Sequence, residues 1–220
     1  MGILLLDVSK RMPANPAGPA APALSGVTLR VPRNEIISLE GGEALHRTAL
    51  LRLLGGVLAL EKGRVVADGQ RVSPILNDGG AAGALLTPAL TVRSNIRFQA
   101  RLSHISPELL TEFVLSSCDC AASIDKTASS LPWPLKRAIE ATIFTAIPFD
   151  YYLVDQLETI PNFAQMQLYY AAQSRQASLI FATSRPHLAA QFRSLSLVME
   201  GGSLRFYAPV ATLASPKDRP

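Results

Sequence analysis

Hydrophobic and polar positions along the chain predict strands that alternate with helices. Three apolar runs, at 35–40, 151–155 and 178–183, are bounded by turn residues. Such short, continuous runs are typical of strands that are buried on both faces. The segment between the last two runs predicts a helix near 162–175. Buried strands joined by a helix favour an α/β fold whose core is a mainly parallel sheet.

The first third of the chain predicts further strands and a helix. Residues 3–8 and 27–31 have the pattern of edge strands in an N-terminal antiparallel β portion, joined by a Pro/Ala-rich loop, PANPAGPAAPA. Residues 63–73 predict a pair of strands around the turn dipeptide Asp68-Gly69. A helix is predicted over 48–59, with leucines at 50, 51, 53 and 54 facing the core.

The middle of the chain is helical in pattern. Between about 90 and 147, Pro107 is placed to start one helix, and Pro132, Pro134 and Pro148 punctuate others. We therefore expect a single domain over 1–220, with a small helical subdomain of about 88–147 inserted in the α/β core.

Composition narrows the class of protein. A chain of 220 residues, 48% hydrophobic and 17% charged, is large enough for one well-buried domain and argues against disorder. The net charge of +4 comes from scattered Lys and Arg without a basic run, so no nucleic-acid partner is expected. The apolar start MGILLLD is too short for a signal peptide, which predicts a cytoplasmic protein. Cys118 and Cys120 are too close for an unstrained disulfide and too few for zinc, so we expect thiols that are buried or without a role.

Residues 37–54, ISLEGGEALHRTALLRLL, have the layout of a phosphate-binding P-loop, G-x-x-x-x-G-K-[ST]. Gly41 and Thr48 keep their places, but His46 and Arg47 replace the second glycine and the lysine. Arg47 keeps the positive charge. His46 is expected to crowd the phosphate and, if left-handed, to add strain of roughly 1 to 2 kcal/mol. Glu43 adds a negative charge inside the loop, so we predict weakened ATP binding. On this segment alone, an ordinary strand, glycine turn and helix is an equal alternative.

The order of several segments resembles a known family. The chain carries the P-loop-like segment, then LPWPLKRAIEATIFTAI, FDYYLVDQ, SLIFATSRPHLAAQF and VMEGGSLRFY. In this order they resemble the ATP-binding subunit of an ABC transporter, most closely the branch that exports capsular polysaccharide. The resemblance implies the P-loop NTPase-like ABC ATPase fold and the cofactors ATP and Mg²⁺. It also implies a membrane-spanning permease subunit as partner, a homodimer or a heterodimer with another ATP-binding subunit, and a peripheral position on the inner face of the cell membrane.

The resemblance assigns roles to individual residues. Gln156 takes the position of the catalytic base and Ser184 that of the switch histidine, while Thr48 and Asp155 take the Mg²⁺ positions. The nucleotide-binding positions are Met12, Gly41, Gly42, His46, Arg47, Thr48 and Ala49. The signature motif, which contacts ATP on the opposite subunit, corresponds to Leu131, Pro132, Trp133, Pro134 and Leu135.

Several of these positions have lost the chemistry that the family uses. An amide at Gln156 cannot accept a proton from water, which typically costs about 10² to 10⁴ in rate. Pro132 and Pro134 lack the backbone N–H groups of a working signature. We therefore predict a hydrolysis-deficient subunit, a pseudo-ATPase, with a structural or regulatory role in polysaccharide export.

Two alternatives stay open from the sequence. In the first, the chain is an active but slow ATPase in which Arg47 replaces the lysine and Glu158 replaces the base. In the second, it is a stand-alone anion-binding or nucleotide-binding module that uses the helix N-terminus at Thr48, without a transporter. Asp155 can also be read as a residue that simply ends a strand, and Arg47 as a solvated arginine.

Overall fold

This computed structural model describes residues 2–13, 20–77 and 85–208, which contain two β-sheets and six α-helices. The strands are β1 (Ile3–Pro13), β2 (Ala20–Val31), β3 (Ile36–Gly41), β4 (Lys62–Val66), β5 (Val72–Leu76), β6 (Tyr151–Val154), β7 (Ser178–Ala182), β8 (Leu195–Glu200) and β9 (Ser203–Tyr207). The helices are α1 (Ala44–Leu54), α2 (Val92–Leu102), α3 (Pro107–Ser117), α4 (Trp133–Ala146), α5 (Asn162–Ser174) and α6 (Pro186–Gln191).

The larger sheet has the strand order β5-β6-β7-β3-β8-β9, and only its β8–β9 pair is antiparallel. All residues of β6 and β7 are buried, which confirms the predicted buried strands and the mainly parallel core. Helix α5 lies between these two strands in the chain, also as predicted. Because the strands are parallel, the carboxyl ends of β3, β6 and β7 meet at one edge of the sheet.

The smaller sheet is antiparallel, with the order β2-β1-β4, in agreement with the predicted N-terminal β portion. Its first two strands are longer than predicted. Strand β1 continues past residue 8 to Pro13, and β2 begins at Ala20 instead of residue 27. The prediction missed these parts because the pairing contains irregular positions, where the alternation of side chains is interrupted. Residues 14–19 of the predicted Pro/Ala-rich loop lie outside the described residues.

The predicted strand pair over 63–73 is wrong as a pair. Strand β4 joins β1 in the smaller sheet, whereas β5 joins β6 in the larger one. The turn at Asp68-Gly69, where Gly69 has φ +66°, therefore carries the chain from one sheet to the other. The two strands differ in burial, since β4 is largely exposed and β5 is largely buried. The exposed strand lies in the smaller sheet and the buried strand in the larger one.

The helices also differ in their bounds from the predictions. Helix α1 spans 44–54 rather than 48–59, because Gly55 and Gly56 end it and Gly56 takes φ +70°. The leucines predicted to face the core are buried. Pro107 starts α3 as predicted, behind the Ser106 side chain, which accepts a hydrogen bond from Leu109 N at 3.3 Å. The predicted helical region 90–147 contains α2, α3 and α4, with non-helical chain and short 3-10 turns between α3 and α4.

Side chains of α2, α3 and one side of α4 form a third hydrophobic cluster beside two clusters built on the sheets, and Ala141 and Phe144 of α4 belong to one of those two. Cys118 and Cys120 are free, buried thiols in the third cluster, as predicted. Burial raises the pKa of the Cys118 thiol to about 12, which makes it unreactive near neutral pH. None of the helices in the described residues combines the length and the apolar content needed to cross a membrane.

Candidate functional site at the carboxyl edge of the parallel sheet

A cavity of about 270 Å³ lies where α1 begins and where β6 and β7 end. Six residues that the sequence analysis singled out lie around it: Arg47, Thr48, Asp155, Gln156 and Ser184, and Glu158, the replacement base of the slow-ATPase alternative. Ala44, Ala182 and Thr183 complete its lining. Crevices at the carboxyl edge of an open parallel sheet are a common place for ligands.

The loop before α1 is shaped by Gly41 and Gly42. Both take left-handed backbone conformations, with φ +68° and +56°. A Cβ atom on Gly41 would lie 2.5 Å from the carbonyl oxygen of Met199, so this position requires glycine for space as well as for conformation. The expected strain at His46 is absent, which corrects the prediction. His46 lies inside α1 without a positive φ, because the helix begins two residues before it.

Early helix formation uses the backbone amides of the predicted phosphate loop. The N–H groups of His46 and Arg47 donate to the carbonyl oxygen of Glu43, at 3.0 and 3.2 Å. His46 is half-buried, and its Nε2 atom is buried without a hydrogen-bond partner among the described residues. In this conformation these two amides point along the helix rather than into the cavity.

The Arg47 side chain folds back across the loop. Its Nη1 atom donates to the carbonyl oxygens of Gly41 and Gly42, at 2.8 and 2.9 Å. These carbonyls face the guanidinium because both glycines are left-handed. Arg47 therefore closes the loop from inside, and part of its hydrogen-bonding capacity is used by the loop itself.

Thr48 and Asp155 are in direct contact across the cavity. The Thr48 hydroxyl donates to Asp155 Oδ2 at 2.6 Å, and Asp155 Oδ1 accepts from the Gln156 N–H at 3.0 Å. Asp155 is only 4% exposed, at the end of the fully buried strand β6. A hydroxyl and a carboxylate are hard oxygen donors that suit Mg²⁺. The described residues hold no cluster of three or more His, Cys, Asp or Glu side chains that would form a metal site unaided.

Gln156 stands directly after Asp155 in a left-handed conformation, with φ +47°, and its side chain is exposed. A non-glycine residue in this region carries local strain of about 1 kcal/mol or more. The turn that follows is a 3-10 helix, Leu157–Thr159, which places Glu158 rather than Gln156 against the end of β7.

Glu158 is bound on both carboxylate oxygens. Oε2 accepts from the Thr183 hydroxyl at 2.8 Å, and Oε1 accepts from Ser184 N at 3.0 Å and Ser184 Oγ at 2.5 Å. Burial opposes ionisation of this carboxyl, but the hydrogen bonds from Ser184 and Thr183 outweigh it and hold its pKa below the ordinary value. Ser184 is therefore a partner of Glu158 in this structure.

Comparison with solved structures identifies the fold. An ATP-binding subunit of an ABC transporter has a TM-score of 0.73 and 14% identity, over 94% of this chain and 90% of that one. A dimeric ATP-binding cassette in a post-hydrolysis state, bound to ADP and Pi, has a TM-score of 0.74 and 14% identity, over 95% and 99%. The chain has the ABC ATPase fold. No family model matches its sequence.

Curated proteins with similar sequences are ATP-binding proteins of transport systems. The polysialic acid transport ATP-binding protein KpsT of Escherichia coli is 24% identical over 136 residues, 61% of this chain and 58% of KpsT. The cytochrome c biogenesis ATP-binding export protein CcmA of Alkalilimnicola ehrlichii is 25% identical over 180 residues, 76% of this chain and 75% of CcmA. The chain thus spans somewhat over half the length of KpsT.

Other residues assigned by resemblance lie away from the cavity of this ABC ATPase fold. Met12 is half-buried on β1, paired with Ala21, and does not line the cavity. Ala49 is buried inside α1. The signature residues stand before and at the start of α4, with Leu131 buried, Leu135 half-buried and the three residues between them exposed. Trp133 is 53% exposed, and the Arg137 guanidinium lies 5.5 Å from its ring centroid.

Asn77 is a site residue that the sequence analysis missed. It follows β5 in a left-handed conformation, with φ +68°, and is 7% exposed. Its amide Nδ2 donates to the carbonyl oxygen of Asp155 at 3.1 Å and to Thr159 Oγ1 at 2.6 Å. It thereby holds the turn that carries Gln156 and Glu158. An asparagine directly after an apolar run is a recognisable left-handed position, but its partners lie 78 and 82 residues away in the sequence.

Proposed function

We propose that this chain is a degenerate ATP-binding subunit of an ABC transporter that exports capsular or another surface polysaccharide. In this proposal it does not hydrolyse ATP at a useful rate and acts as a structural or regulatory partner of a permease. The observation that carries the proposal is the Arg47 side chain, which binds the carbonyls of Gly41 and Gly42 within the loop where phosphate would sit. With Arg47 Nη1 bound to these carbonyls and no lysine in the loop, fewer charge-assisted contacts are available to hold phosphate.

The position of the catalytic base supports the same proposal. Gln156 is exposed and offers an amide, which cannot take a proton from an attacking water. The position of the switch histidine is Ser184, whose hydroxyl and N–H are engaged by Glu158. Thr48 and Asp155 keep the oxygen ligands that would hold Mg²⁺. The residues for the metal are therefore retained, whereas those for phosphate are changed.

The transport context of the proposal comes from relatives. KpsT is a polysialic acid transport ATP-binding protein. The segment FDYYLVD of this chain resembles the corresponding segment of subunits that export capsular polysaccharide. The partners we propose are a membrane-spanning permease subunit and a second ATP-binding subunit, with this chain at the inner face of the membrane. Because Pro132 and Pro134 remove signature donors, a pair with an intact subunit would lack a phosphate loop at one site and a working signature at the other.

Calorimetric titration of the full chain with ATP, with and without Mg²⁺, tests the proposal. We expect no binding at about 1 mM ATP, which corresponds to a binding free energy weaker than roughly −4 kcal/mol. The matched variants are Arg47→Lys, which restores the side chain of a working loop, and Arg47→Ala, which removes the closing contact and the charge together. Micromolar binding by the unmodified chain that requires Mg²⁺ and disappears in Arg47→Ala would contradict the proposal.

A slow ATPase is the second candidate, because Glu158 lies in the same cavity as Thr48 and Asp155. Phosphate release from ATP distinguishes the two. If Glu158 acts as the base, the unmodified chain has a measurable rate, Glu158→Gln abolishes it and Gln156→Glu raises it. Under our proposal the unmodified chain and both variants stay at the rate of the buffer.

A further inference from the structure

A second polar hollow lies at the opposite edge of the parallel sheet from the cavity around Thr48 and Asp155. Its lining includes Asn34, just before β3, and Gln176, just before β7, so it sits at the amino ends of these strands. Its volume is about 530 Å³. The charged residues that line it are Arg30, Arg33 and Arg175. Three guanidinium groups around one hollow are unusual, because like charges repel unless an anion or a carboxylate separates them.

Two of these arginines are held in place by hydrogen bonds to groups of the protein. Arg33 Nη2 donates to Asp150 Oδ1 at 2.7 Å, and Asp150 Oδ2 in turn accepts from the backbone N–H of Arg71 at 2.8 Å. Arg175 Nη1 donates to the carbonyl oxygen of Thr145 at 2.6 Å and to the hydroxyl of Tyr152, and its Nη2 donates to the carbonyl oxygen of Ala146 at 3.5 Å. Both side chains are therefore positioned before any ligand arrives, which reduces the entropy lost on binding.

The charge of the hollow is only partly balanced. Asp150 offsets Arg33, and the carbonyl end of α4 offsets part of the charge on Arg175. Arg30 is exposed on β2 and has no ion pair within the described parts of the chain, residues 2–13, 20–77 and 85–208. A positive charge of more than one unit thus remains around the hollow.

We propose that this hollow binds an oxyanion of the phosphate class, either inorganic phosphate or the phosphate group of a small phosphomonoester. Guanidinium groups bind such oxyanions in a two-pronged geometry, and each charge-assisted hydrogen bond is stronger than a neutral one. The hollow has room for a phosphate together with a small organic group. This site is separate from the P-loop-like segment and does not depend on the proposed function.

Phosphorus NMR titration of the full chain with inorganic phosphate tests the proposal, with sn-glycerol 3-phosphate in a second arm. The deciding variant is Arg30→Gln, because the Arg30 side chain has no hydrogen bond or ion pair to lose within the described residues. Its matched control is Arg205→Gln on β9, another exposed arginine, which changes the net charge by the same amount. A third variant, Arg47→Ala, tests whether phosphate binds instead in the cavity around Thr48 and Asp155.

We expect saturable binding that weakens about tenfold in Arg30→Gln, the effect of losing one charge-assisted contact, and that persists in Arg205→Gln and Arg47→Ala. Tighter binding of sn-glycerol 3-phosphate would identify a phosphomonoester as the ligand, and equal binding would identify free phosphate. No saturation by either compound at about 50 mM, or an equal loss in Arg30→Gln and Arg205→Gln, would overturn the proposal, because screening alone explains such weak attraction.

Discussion

Glu158 is the charged side chain that joins the turn after β6 to the end of β7. Its carboxylate accepts three hydrogen bonds from Thr183 and Ser184, and Asn77 holds the other side of the same turn. The sequence suggested Glu158 only as a replacement base, yet its contacts give it a structural role. A carboxylate with this many donors is a weak base because its pKa is lowered.

The lowered pKa of Glu158 predicts a pH-dependent contribution to stability. Since the folded pKa lies below that of the unfolded chain, ionised Glu158 stabilises the fold above about pH 4.3, and this stabilisation is lost as the pH falls through the folded pKa. We expect Glu158→Gln to lower the melting temperature at pH 7 and to have progressively less effect towards pH 3. Glu112, an exposed glutamate on α3, provides the control variant Glu112→Gln. A difference between Glu158→Gln and the unmodified chain that stays constant with pH would contradict the assignment.

Helix α4 ends against Arg175, which follows α5. The guanidinium donates to the carbonyl oxygens of Thr145 and Ile147 at 2.6 and 3.4 Å, and to the hydroxyl of Tyr152 on β6. The last carbonyls of a helix have no partner within it, and a cation there also interacts favourably with the helix dipole. Arg175 therefore links α4, α5 and the central sheet.

Removal of this link is expected to destabilise the fold measurably. We predict that Arg175→Gln lowers the free energy of unfolding by roughly 1 to 3 kcal/mol, the range for hydrogen bonds that involve a charged group or leave a buried partner unsatisfied. Chemical denaturation followed by circular dichroism measures the change. Arg205→Gln serves as control and should stay within about 0.5 kcal/mol of the unmodified chain, as is usual for surface positions. Equal stability of Arg175→Gln and Arg205→Gln would show that the contacts contribute nothing net.

At the scale of the whole molecule, the residues that the structure describes form three hydrophobic clusters. Two of them use the sheets, and the third lies among α2, α3, α4 and the chain between them. Separate clusters suggest separate cooperative units, since regions with their own core open at their own free energy. The division into an α/β core and an inserted helical subdomain stays a prediction until such an opening is measured.

The buried cysteines make that measurement direct. Cys118 and Cys120 belong to the cluster of α2 to α4, and burial keeps the pKa of Cys118 at about 12. We expect no reaction with a thiol reagent at pH 8 in the native state. We predict that the helical cluster opens as a unit of its own, so labelling should begin at urea concentrations below those at which the circular dichroism of the whole protein is lost. Labelling that coincides with global unfolding would instead indicate a single cooperative unit.

The sequence by itself determined the elements whose signal is local. Apolar runs located the buried strands β6 and β7, Pro107 located the start of α3, and the order of segments led to the ABC ATPase fold. The resemblance also assigned residues 47, 48, 155, 156 and 184; the fold brings them to one cavity, and their roles stay predictions. The strand predictions succeeded because the burial of a strand depends on the residues of that strand itself.

Only the tertiary structure decided the features that depend on distant partners. β4 and β5 enter different sheets because β1 and β6, far away in the chain, offer them different neighbours. The direction of the Arg47 side chain depends on carbonyls turned by two left-handed glycines, and the strain expected at His46 is absent because α1 begins early. The contacts of Asn77 join residues that are distant in the sequence, and so does the hollow lined by Arg30, Arg33 and Arg175. Hydrogen-bond partners of this kind have no periodic signal, since any donor of suitable length can satisfy them once the chain has brought it within reach.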